Sequence, residues 1–474
     1  MSALSSIWRF LTVERGSRRI DPSLSAAKQG RGSPYAESPP HRGGSPRARR
    51  GRRRQRGVAL VTVLIAIAMS LVITNGFGTS TNIDLMASAN YQDQMRAHFL
   101  ARSAANLSEL VIRLQQRIDN VEQLRGMVQI TDFADQVLLA FCGSAEEVQA
   151  AVGFSPSEVK GLGADIGTCG IVGSITTEDD KINVNCANST DANANTIKSA
   201  LDALMFFPAY DPLFEEGDAE GWRRDRAQQV ASIIDYIDAN SQRLRERGTT
   251  EDYGYESLKD DYRPKNNYVD SIGELKLARG VDDRLWALFG NAFTVYGSCK
   301  TNVSALSNSQ LIAAILYLAA KVPNDPVLQN PQKLFVLAGL VAKAKQFGMT
   351  FTSLDDFVDF VRDPQAQLGE LAAGGGMAGS AATAALSGGF LPGEKVGLEL
   401  DKAKLGQIAT AGPRRTYRVQ AWGEIERKQK NADGSPVYPA IRVTVNGVWD
   451  TKVVPQNARK PPAPKGAWVF LRED

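Results

Sequence analysis

Histidine is nearly absent from this chain, with two in 474 residues. One lies in a basic N-terminal segment, so His98 is the only imidazole in the rest of the sequence. A Ser/His/Asp or Cys/His catalytic site needs a positioned imidazole, and a zinc site needs histidines or clustered cysteines. The four cysteines lie far apart in the sequence. The composition therefore argues against zinc and against these forms of nucleophilic catalysis.

Nucleotide-binding motifs are also missing, and the chain after its N-terminal segment has no net positive charge. No glycine-rich loop precedes Lys-Ser or Lys-Thr, and residues 161–167 (GLGADIG) lack the required spacing. Residues 1–57 hold 14 Lys+Arg and 3 Asp+Glu, a net charge of +11, so a chain of net charge +3 leaves −8 for the other 417 residues. Nucleic-acid binding needs a positive surface, so we expect no nucleic-acid partner. The composition does not exclude acid–base catalysis by a pair of carboxylates, because acidic residues are plentiful.

Positive charge is instead concentrated directly before a long apolar run. Seven arginines lie between Arg47 and Arg56, and after Gly57 the twenty residues 58–77 carry no charge. About 20 apolar residues span a bilayer as a helix, and arginine resists translocation. The pattern predicts a single membrane span with a cytoplasmic N-terminus. The four cysteines, all after the span, would then reach an oxidising compartment.

The cleavage signal precedes the apolar run, which distinguishes this segment from an ordinary secretory signal. Arginines, a glycine and then an apolar helix resemble the class III signal of type IV pilins and pseudopilins. In those families a prepilin peptidase cuts after the glycine, here Gly57, and N-methylates the new first residue, here Val58. The alternative is a plain signal anchor that is never cut. Residues 1–57, with five prolines, are predicted to be a disordered leader.

The periodicity after the span predicts that the helix continues to about residue 125. An apolar stripe recurs there in steps of three and four: Leu100, Ala104, Leu107, Val111, Leu114, Ile118 and Val121. Strand patterns follow in residues 166–185, Tyr417–Ile425 and Val437–Val445, with turns at Asp433–Gly434 and Asn446–Gly447. Five segments between them are predicted to be helical: Asn195–Phe207, Asp225–Asn240, Ser309–Lys321, Gln332–Phe347 and Leu354–Val361.

These patterns predict an α+β fold. A pilin-like long N-terminal helix packs on a small antiparallel sheet, and a large α-helical domain is inserted between the strands. The expected divisions are the leader 1–57, the span 58–77, the rest of the long helix 78–125, the sheet domain 126–190 and 391–474, and the helical domain 191–390 with a flexible Gly/Ala linker at 369–389.

Several motifs of the inserted region resemble those of K-type minor pseudopilins of the type II secretion system (general secretion pathway protein K). That family has a doubled INVNTA-like turn and a signature of DWIDADD, GAED, YRPxN and EL. The corresponding segments here are Ile182–Ala187, Ile234–Asn240, Thr250–Asp252, Tyr262–Asn266, Ile272–Leu275 and the second turn Thr301–Ala305. The likeness covers nearly all of residues 50–450. Tyr236 replaces the usual tryptophan and Cys186 the usual threonine, and the second turn is degenerate.

The resemblance implies a non-enzymatic subunit of the bacterial inner membrane with a periplasmic body. Its partners would be the I- and J-type minor pseudopilins, the prepilin peptidase and the inner-membrane secretion platform. The fifth residue after the proposed cut is Thr62, where most pilins carry a glutamate; K-type members lack it, which fits a place at the filament tip. A minor pilin of a type IV pilus, or a signal-anchored periplasmic binding protein or enzyme, remains the alternative.

The resemblance also implies calcium in the helical domain. Asp238, Asn240, Glu251 and Asp252 supply hard oxygen ligands within fifteen residues, which is the chemistry that calcium requires. No EF-hand spacing is present, and the residues alone favour a solvated acidic loop.

The four cysteines allow three pairings. We expect Cys142 to pair with Cys169 and Cys186 with Cys299, so that the second bridge joins the two related turns.

Overall fold

The computed structural model describes residues 58–121, 129–142, 167–346, 349, 351–373, 396–427, 431, 438–453 and 466–474, except 219–220, 223–224, 246–248, 253, 257, 259 and 261. The leader 1–57, including Gly57, and residues 374–389 of the predicted linker lie outside the described residues. The chain divides into two compact units, Met1–Gly78 and Thr79–Asp474.

In the first unit, the described residues form the apolar beginning of helix α1, which runs from Val58 to Asp119. Its side chains are exposed throughout residues 58–77. By length and composition this helix is able to cross a membrane.

The second unit contains an antiparallel sheet. The strands β1 (Thr168–Ile171), β7 (Thr416–Ile425), β8 (Ile441–Asp450) and β9 (Ala467–Glu473) lie in that order, and β2 (Thr176–Thr177) also pairs with β7. The predicted turn at Asn446–Gly447 is wrong, because β8 passes through it to Asp450 and pairs Gly447 with Val419. Gly447 is needed for packing: a Cβ there would lie 2.5 Å from the ring of Trp468.

Helix α1 packs on this sheet through small residues. Ala97, Ala101 and Ala104 are fully buried. A Cβ at Gly423 of β7 would collide with the backbone of Ala97 and Ala101, so the helix and the sheet are nearly in backbone contact. The predicted stripe is therefore wrong in part, because Leu114 is 51% exposed. The close approach selects the alanine face for the core. Leu100 and Leu107 are partly buried beside it, and Leu110 and Leu114 stay exposed.

Short helices form most of residues 191–408, and they share one core that runs from Ile182 to Ala409. This core is wider than the predicted domain 191–390, because both turn segments pack into it. The helices are α3 (Asp191–Met205), α4 (Asp211–Glu215), α5 (Arg226–Ile237), α6 (Asp283–Phe289), α7 (Ser309–Ala319), α8 (Pro326–Gln329), α9 (Pro331–Gln346), α10 (Leu354–Arg362), α11 (Pro364–Ala373) and α12 (Lys402–Ile408). Helix α2 (Ala134–Cys142) belongs to the sheet core. The predicted α+β fold class is confirmed.

The two related turns have the same construction. Strand β3 (Ile182–Asn183) pairs in parallel with β4 (Phe293–Thr294), and β5 (Thr301–Asn302) pairs in parallel with β6 (Ala409–Thr410). The Asn183 amide donates to the Gly297 carbonyl at 3.1 Å, and the Asn302 amide donates to the Gly412 carbonyl at 3.0 Å. Each asparagine oxygen also accepts from the backbone N–H two residues later. The second turn is thus degenerate in sequence and intact in structure.

Candidate metal site

Helix α5 fixes two carboxylates of a buried acidic cluster. The helix begins after Asp225, whose side chain accepts from the Gln228 N–H at 2.7 Å, and its apolar face is buried through Ile233 and Ile237. Asp235 lies in its last turn and Asp238 follows the helix end. Residues three apart on a helix lie on the same side, so both carboxylates meet the loop that contains Glu251.

The cluster consists of Asp235, Asp238 and Glu251, each with a carboxylate oxygen within 4.8 Å of the others. Asp235 is 7% exposed and Glu251 is 4% exposed. One oxygen of Asp235 accepts from the Leu244 N–H at 3.0 Å, and one oxygen of Asp238 accepts from the Asn240 amide at 2.8 Å.

Several oxygens at the cluster are buried without a hydrogen bond. Within the described part of the chain, this holds for Asp238 Oδ1, both carboxylate oxygens of Glu251 and Asn266 Oδ1. A buried charged oxygen without a partner is costly. The three carboxylates lie within 4.8 Å of one another and the side chain of Asn266 lies beside Glu251, and a cation would explain this arrangement.

Burial is the main cause that raises the pKa of all three carboxyls, and their mutual repulsion adds to the effect at Asp235 and Glu251. The pKa rises to about 7 for Asp235, about 6 for Asp238 and about 8 for Glu251. Without a cation, therefore, folding favours the protonated forms. A bound divalent cation would favour the ionised forms instead.

Asn266 is held beside Glu251 by an unusual backbone conformation. Its φ of 49° is the only positive value at a described residue other than glycine, and asparagine tolerates this region better than most residues. Its N–H donates to the Tyr236 carbonyl at 3.0 Å and its amide donates to the Asn240 carbonyl at 2.9 Å. The amide oxygen is left as a further neutral oxygen donor.

The structure brings together only two of the four residues predicted as metal ligands. Asp238 and Glu251 belong to the cluster, whereas the side chain of Asn240 is used for hydrogen bonds to Asp238 and to the Gln242 N–H. Asp252 lies outside the cluster, with Arg263 at 3.9 Å.

Sequence reasoning missed Asp235 and Asn266. The signal for Asp235 was the three-residue step to Asp238 on one helix, while Asn266 is distant in sequence and had no such signal.

The donor set fits calcium. It offers three carboxylates and an amide oxygen, with no nitrogen or sulfur, and calcium takes six to eight oxygen ligands, which leaves positions for water or backbone carbonyls. This arrangement is suited to binding a hard cation and to closing the loop between α5 and Glu251.

A known protein family matches the region of the chain that contains the acidic cluster. Residues 180–297 match the family model described as Type II secretion system (T2SS), protein K. These residues are similar to that family, and we refer to them below as the protein K domain. The resemblance seen in the sequence motifs is thereby confirmed.

The chain is also similar to a chain of the GspK-GspI-GspJ complex from the type 2 secretion system of enterotoxigenic Escherichia coli. The identity is 13%, the alignment covers 82% of this chain and 99% of the other, and the TM-score is 0.43. No curated protein matches the chain.

The protein K domain contains the whole acidic cluster. The match ends at Gly297, whose carbonyl accepts from Asn183 of the first turn. Cys186, within the domain, forms a disulfide with Cys299, which lies just after it. The domain is thus closed by the turn hydrogen bond and joined covalently to the second turn.

The other predicted site residues lie outside the protein K domain. Cys142 and Cys169 form a second disulfide, so both pairs are those expected from the sequence. Val58 is the first described residue, and Gly57 before it lies outside the described part. The hydroxyl of Thr62 donates to the carbonyls of Val58 and Ala59, at 3.2 and 3.0 Å, so its polar group is satisfied within the helix.

Proposed function

We propose that this protein is a K-type minor pseudopilin, a structural subunit without catalytic activity that acts at the tip of the type II secretion pseudopilus. The observation that carries the proposal is the protein K domain at residues 180–297. The domain is inserted between strands of a small sheet packed on a long N-terminal helix, which is the arrangement expected of an anchored subunit with a broad cap.

In this proposal the N-terminus lies in the cytoplasm and the body in the periplasm. The arginines between Arg47 and Arg56 oppose translocation, and the apolar part of α1 provides the anchor. The two disulfides support an oxidising compartment for the body, because structural disulfides are rare in the cytoplasm of ordinary bacteria.

Membrane insertion would be followed by processing. A prepilin peptidase would cleave after Gly57 and methylate Val58. Co-expression with a prepilin peptidase and intact-mass analysis test this directly: we expect a chain that starts at N-methylated Val58, and Gly57→Val should leave the leader attached. Cleavage at another position, or none, would overturn the processing step.

The tip position is supported by the helix residue at the fifth place after the cut. A charged residue inside a membrane needs a partner, and a glutamate there would need the amine of a neighbouring subunit. Thr62 is neutral and satisfied within α1, so a terminal subunit with no neighbour above it leaves no charge uncompensated. The partners would be I- and J-type minor pseudopilins and the inner-membrane platform.

The experiment that tests the function is deletion of the gene together with co-purification. We expect loss of protein secretion across the outer membrane, and co-purification of the full chain with the I- and J-type subunits of the same cell. Normal secretion and normal pseudopilus assembly in the deletion strain would contradict the proposal.

Calcium would stabilise the helical region rather than take part in chemistry. Asp235, Asp238, Glu251 and Asn266 would hold the ion. The three carboxylates repel one another when they are ionised together, so the ion would keep the loop closed at neutral pH.

A further inference from the structure

Helix α5 carries a row of polar side chains that extends beyond the acidic cluster. Gln229, Ser232, Asp235 and Asp238 follow one another in steps of three, and the residues between them are apolar or aromatic. Residues three apart lie on the same side of a helix. The last two members of the row supply carboxylates to the cluster, and the first two make a different contact on the same side of α5.

This contact is with the backbone of Arg279. The Ser232 hydroxyl donates to the Arg279 carbonyl at 2.8 Å, and the amide of the buried Gln229 donates to the same carbonyl at 3.2 Å. The carbonyl of one residue outside the helix therefore fixes the side of α5 that carries Asp235 and Asp238.

The N–H of Arg279 binds the loop that carries the third carboxylate. It donates to the hydroxyl of Tyr255 at 2.9 Å, and Tyr255 is buried. The N–H of Tyr255 in turn donates to the Asp252 carbonyl at 3.0 Å, which closes a turn directly after Glu251. The position of the Tyr255 ring therefore determines where this loop, and Glu251 with it, lies.

The side chain of Arg279 holds its own backbone in place. Its guanidinium lies 3.4 Å from a carboxylate oxygen of Asp218, and both side chains are 5% exposed. The same guanidinium lies 5.4 Å from the centroid of the Trp222 ring. A Cβ at Gly254 would lie 3.5 Å from the indole nitrogen of Trp222, so the ring also lies against the loop beside Tyr255.

We propose that the backbone of Arg279 positions both halves of the calcium site, acting through Ser232 on α5 and through Tyr255 on the loop. The inference rests on the calcium site of the proposed function. Asp235 and Asp238 belong to one segment and Glu251 to another, and ionised carboxylates repel one another, so their approach needs a group that binds both segments. Arg279 is bound to both through its carbonyl and its N–H.

Isothermal titration of the detergent-solubilised full chain with calcium chloride tests this role. We expect Tyr255→Phe to raise the dissociation constant for calcium about tenfold, at the lower end of the range for residues that support metal ligands. Tyr417→Phe is the matched control, because the buried Tyr417 also binds a backbone group, the Arg414 carbonyl at 3.2 Å, but does so in the sheet domain. This variant should lose stability and keep the dissociation constant for calcium unchanged.

Ser232→Ala removes the contact on the side of α5. It should also raise the dissociation constant, though by less than Tyr255→Phe, because Gln229 still donates to the same carbonyl. Substitutions that act through one shared group have effects that do not add. We therefore expect the double variant to bind calcium more tightly than the two single effects combined would predict.

Tryptophan fluorescence gives a readout that a general loss of stability does not move. Because Trp222 contacts both Arg279 and the loop at Gly254, calcium should change the emission of the full chain, and Trp222→Phe should abolish this change. In Tyr255→Phe the change should require about tenfold more calcium, in agreement with the titration.

The outcomes separate this inference from the calcium site itself. If the wild-type chain binds calcium and Tyr255→Phe binds it equally tightly, the site stands and the positioning role is wrong. Additive effects of Ser232→Ala and Tyr255→Phe, or an emission change that survives Trp222→Phe, would also overturn the role of Arg279. Should Tyr255→Phe fail to fold, an unchanged dissociation constant in Ser232→Ala overturns it alone. If the wild-type chain gives neither heat nor an emission change, the calcium proposal fails together with the inference.

Discussion

At the scale of single residues, the acidic cluster makes the sharpest prediction. A ligand that binds only the folded state stabilises it by RT ln(1 + [L]/Kd), so calcium at a hundredfold excess over Kd should add about 2.7 kcal/mol. We expect the melting of residues 79–474 to show this stabilisation as a shift with calcium. The double variant Asp238→Ala with Glu251→Ala should lose the shift. Asp252→Ala, next to the cluster but outside it, should keep the shift. An equal shift with magnesium that survives the double substitution would contradict the site.

The raised pKa values predict how stability without calcium depends on pH. Free carboxyls have a pKa near 4, whereas folding raises the values to about 7, 6 and 8 at Asp235, Asp238 and Glu251. The contribution of these three carboxyl groups to the stability of the folded state is fully present below pH 4. It is lost as the pH rises through their pKa values in the folded state.

Melting in chelator should therefore show stability falling between about pH 5 and pH 8, a window set by those pKa values. Saturating calcium should remove the fall. The triple variant Asp235→Asn, Asp238→Asn and Glu251→Gln should be flat over the same range. A chelated wild-type protein that becomes more stable towards pH 8 would contradict the assignment.

Sequence reasoning reached the right loop and only part of the right ligand set. Spacing along the chain identifies which oxygens are near in sequence, and Asp238 and Glu251 were found in this way. It does not show which of them is already used. Asn240 is engaged in local hydrogen bonds, and Asn266 enters the site only because the fold returns to the end of α5.

At the scale of secondary structure elements, the separation between α1 and β7 depends on Gly423. A methyl group there would collide with the backbone of Ala97 and Ala101, and backbone does not move aside as a flexible side chain does. We expect Gly423→Ala to destabilise residues 79–474 by about 1–3 kcal/mol, the usual range for overpacking.

Gly406 in α12 is the matched control for this prediction. A Cβ there meets no atom within 4 Å, so Gly406→Ala should be neutral or stabilise by up to about 1 kcal/mol, because alanine favours a helix. Denaturant unfolding measures both variants. Equal effects of the two substitutions would show that the close approach does not limit the packing of α1.

Periodicity predicted the elements better than their contacts. The helix beginning at Ser309 and the strand ending at Ile425 have the predicted boundaries at those ends. The buried face of α1 was misjudged because periodicity ranks residues by hydrophobicity, and the sheet instead selects the small residues that allow close approach. Leu114, which the pattern placed in the core, is 51% exposed.

At the scale of the whole molecule, the order of the elements along the chain was predictable, and so was the disulfide between the two turns, but the parallel strand pairs of the turns were not. The strands near residue 170 and those after Thr416 were assigned to one sheet, because alternating strands on both sides of a helical region imply an insertion. The parallel pairs β3–β4 and β5–β6 escaped prediction, since each strand has two residues and too short a pattern to recognise.

The two disulfides should contribute unequally to global stability. Cys142–Cys169 spans 27 residues and Cys186–Cys299 spans 113. The loop-entropy relation gives about 3.5 kcal/mol for the shorter loop and about 4.8 kcal/mol for the longer one. We expect denaturant unfolding of residues 79–474 to show the larger loss for Cys186→Ser with Cys299→Ser. Because this bridge joins the two turns of the helical region, its loss should also weaken the calcium-dependent shift, whereas the variant without Cys142 and Cys169 should retain that shift. A larger loss from the shorter bridge would show that local packing of α2, rather than chain entropy, sets the stability.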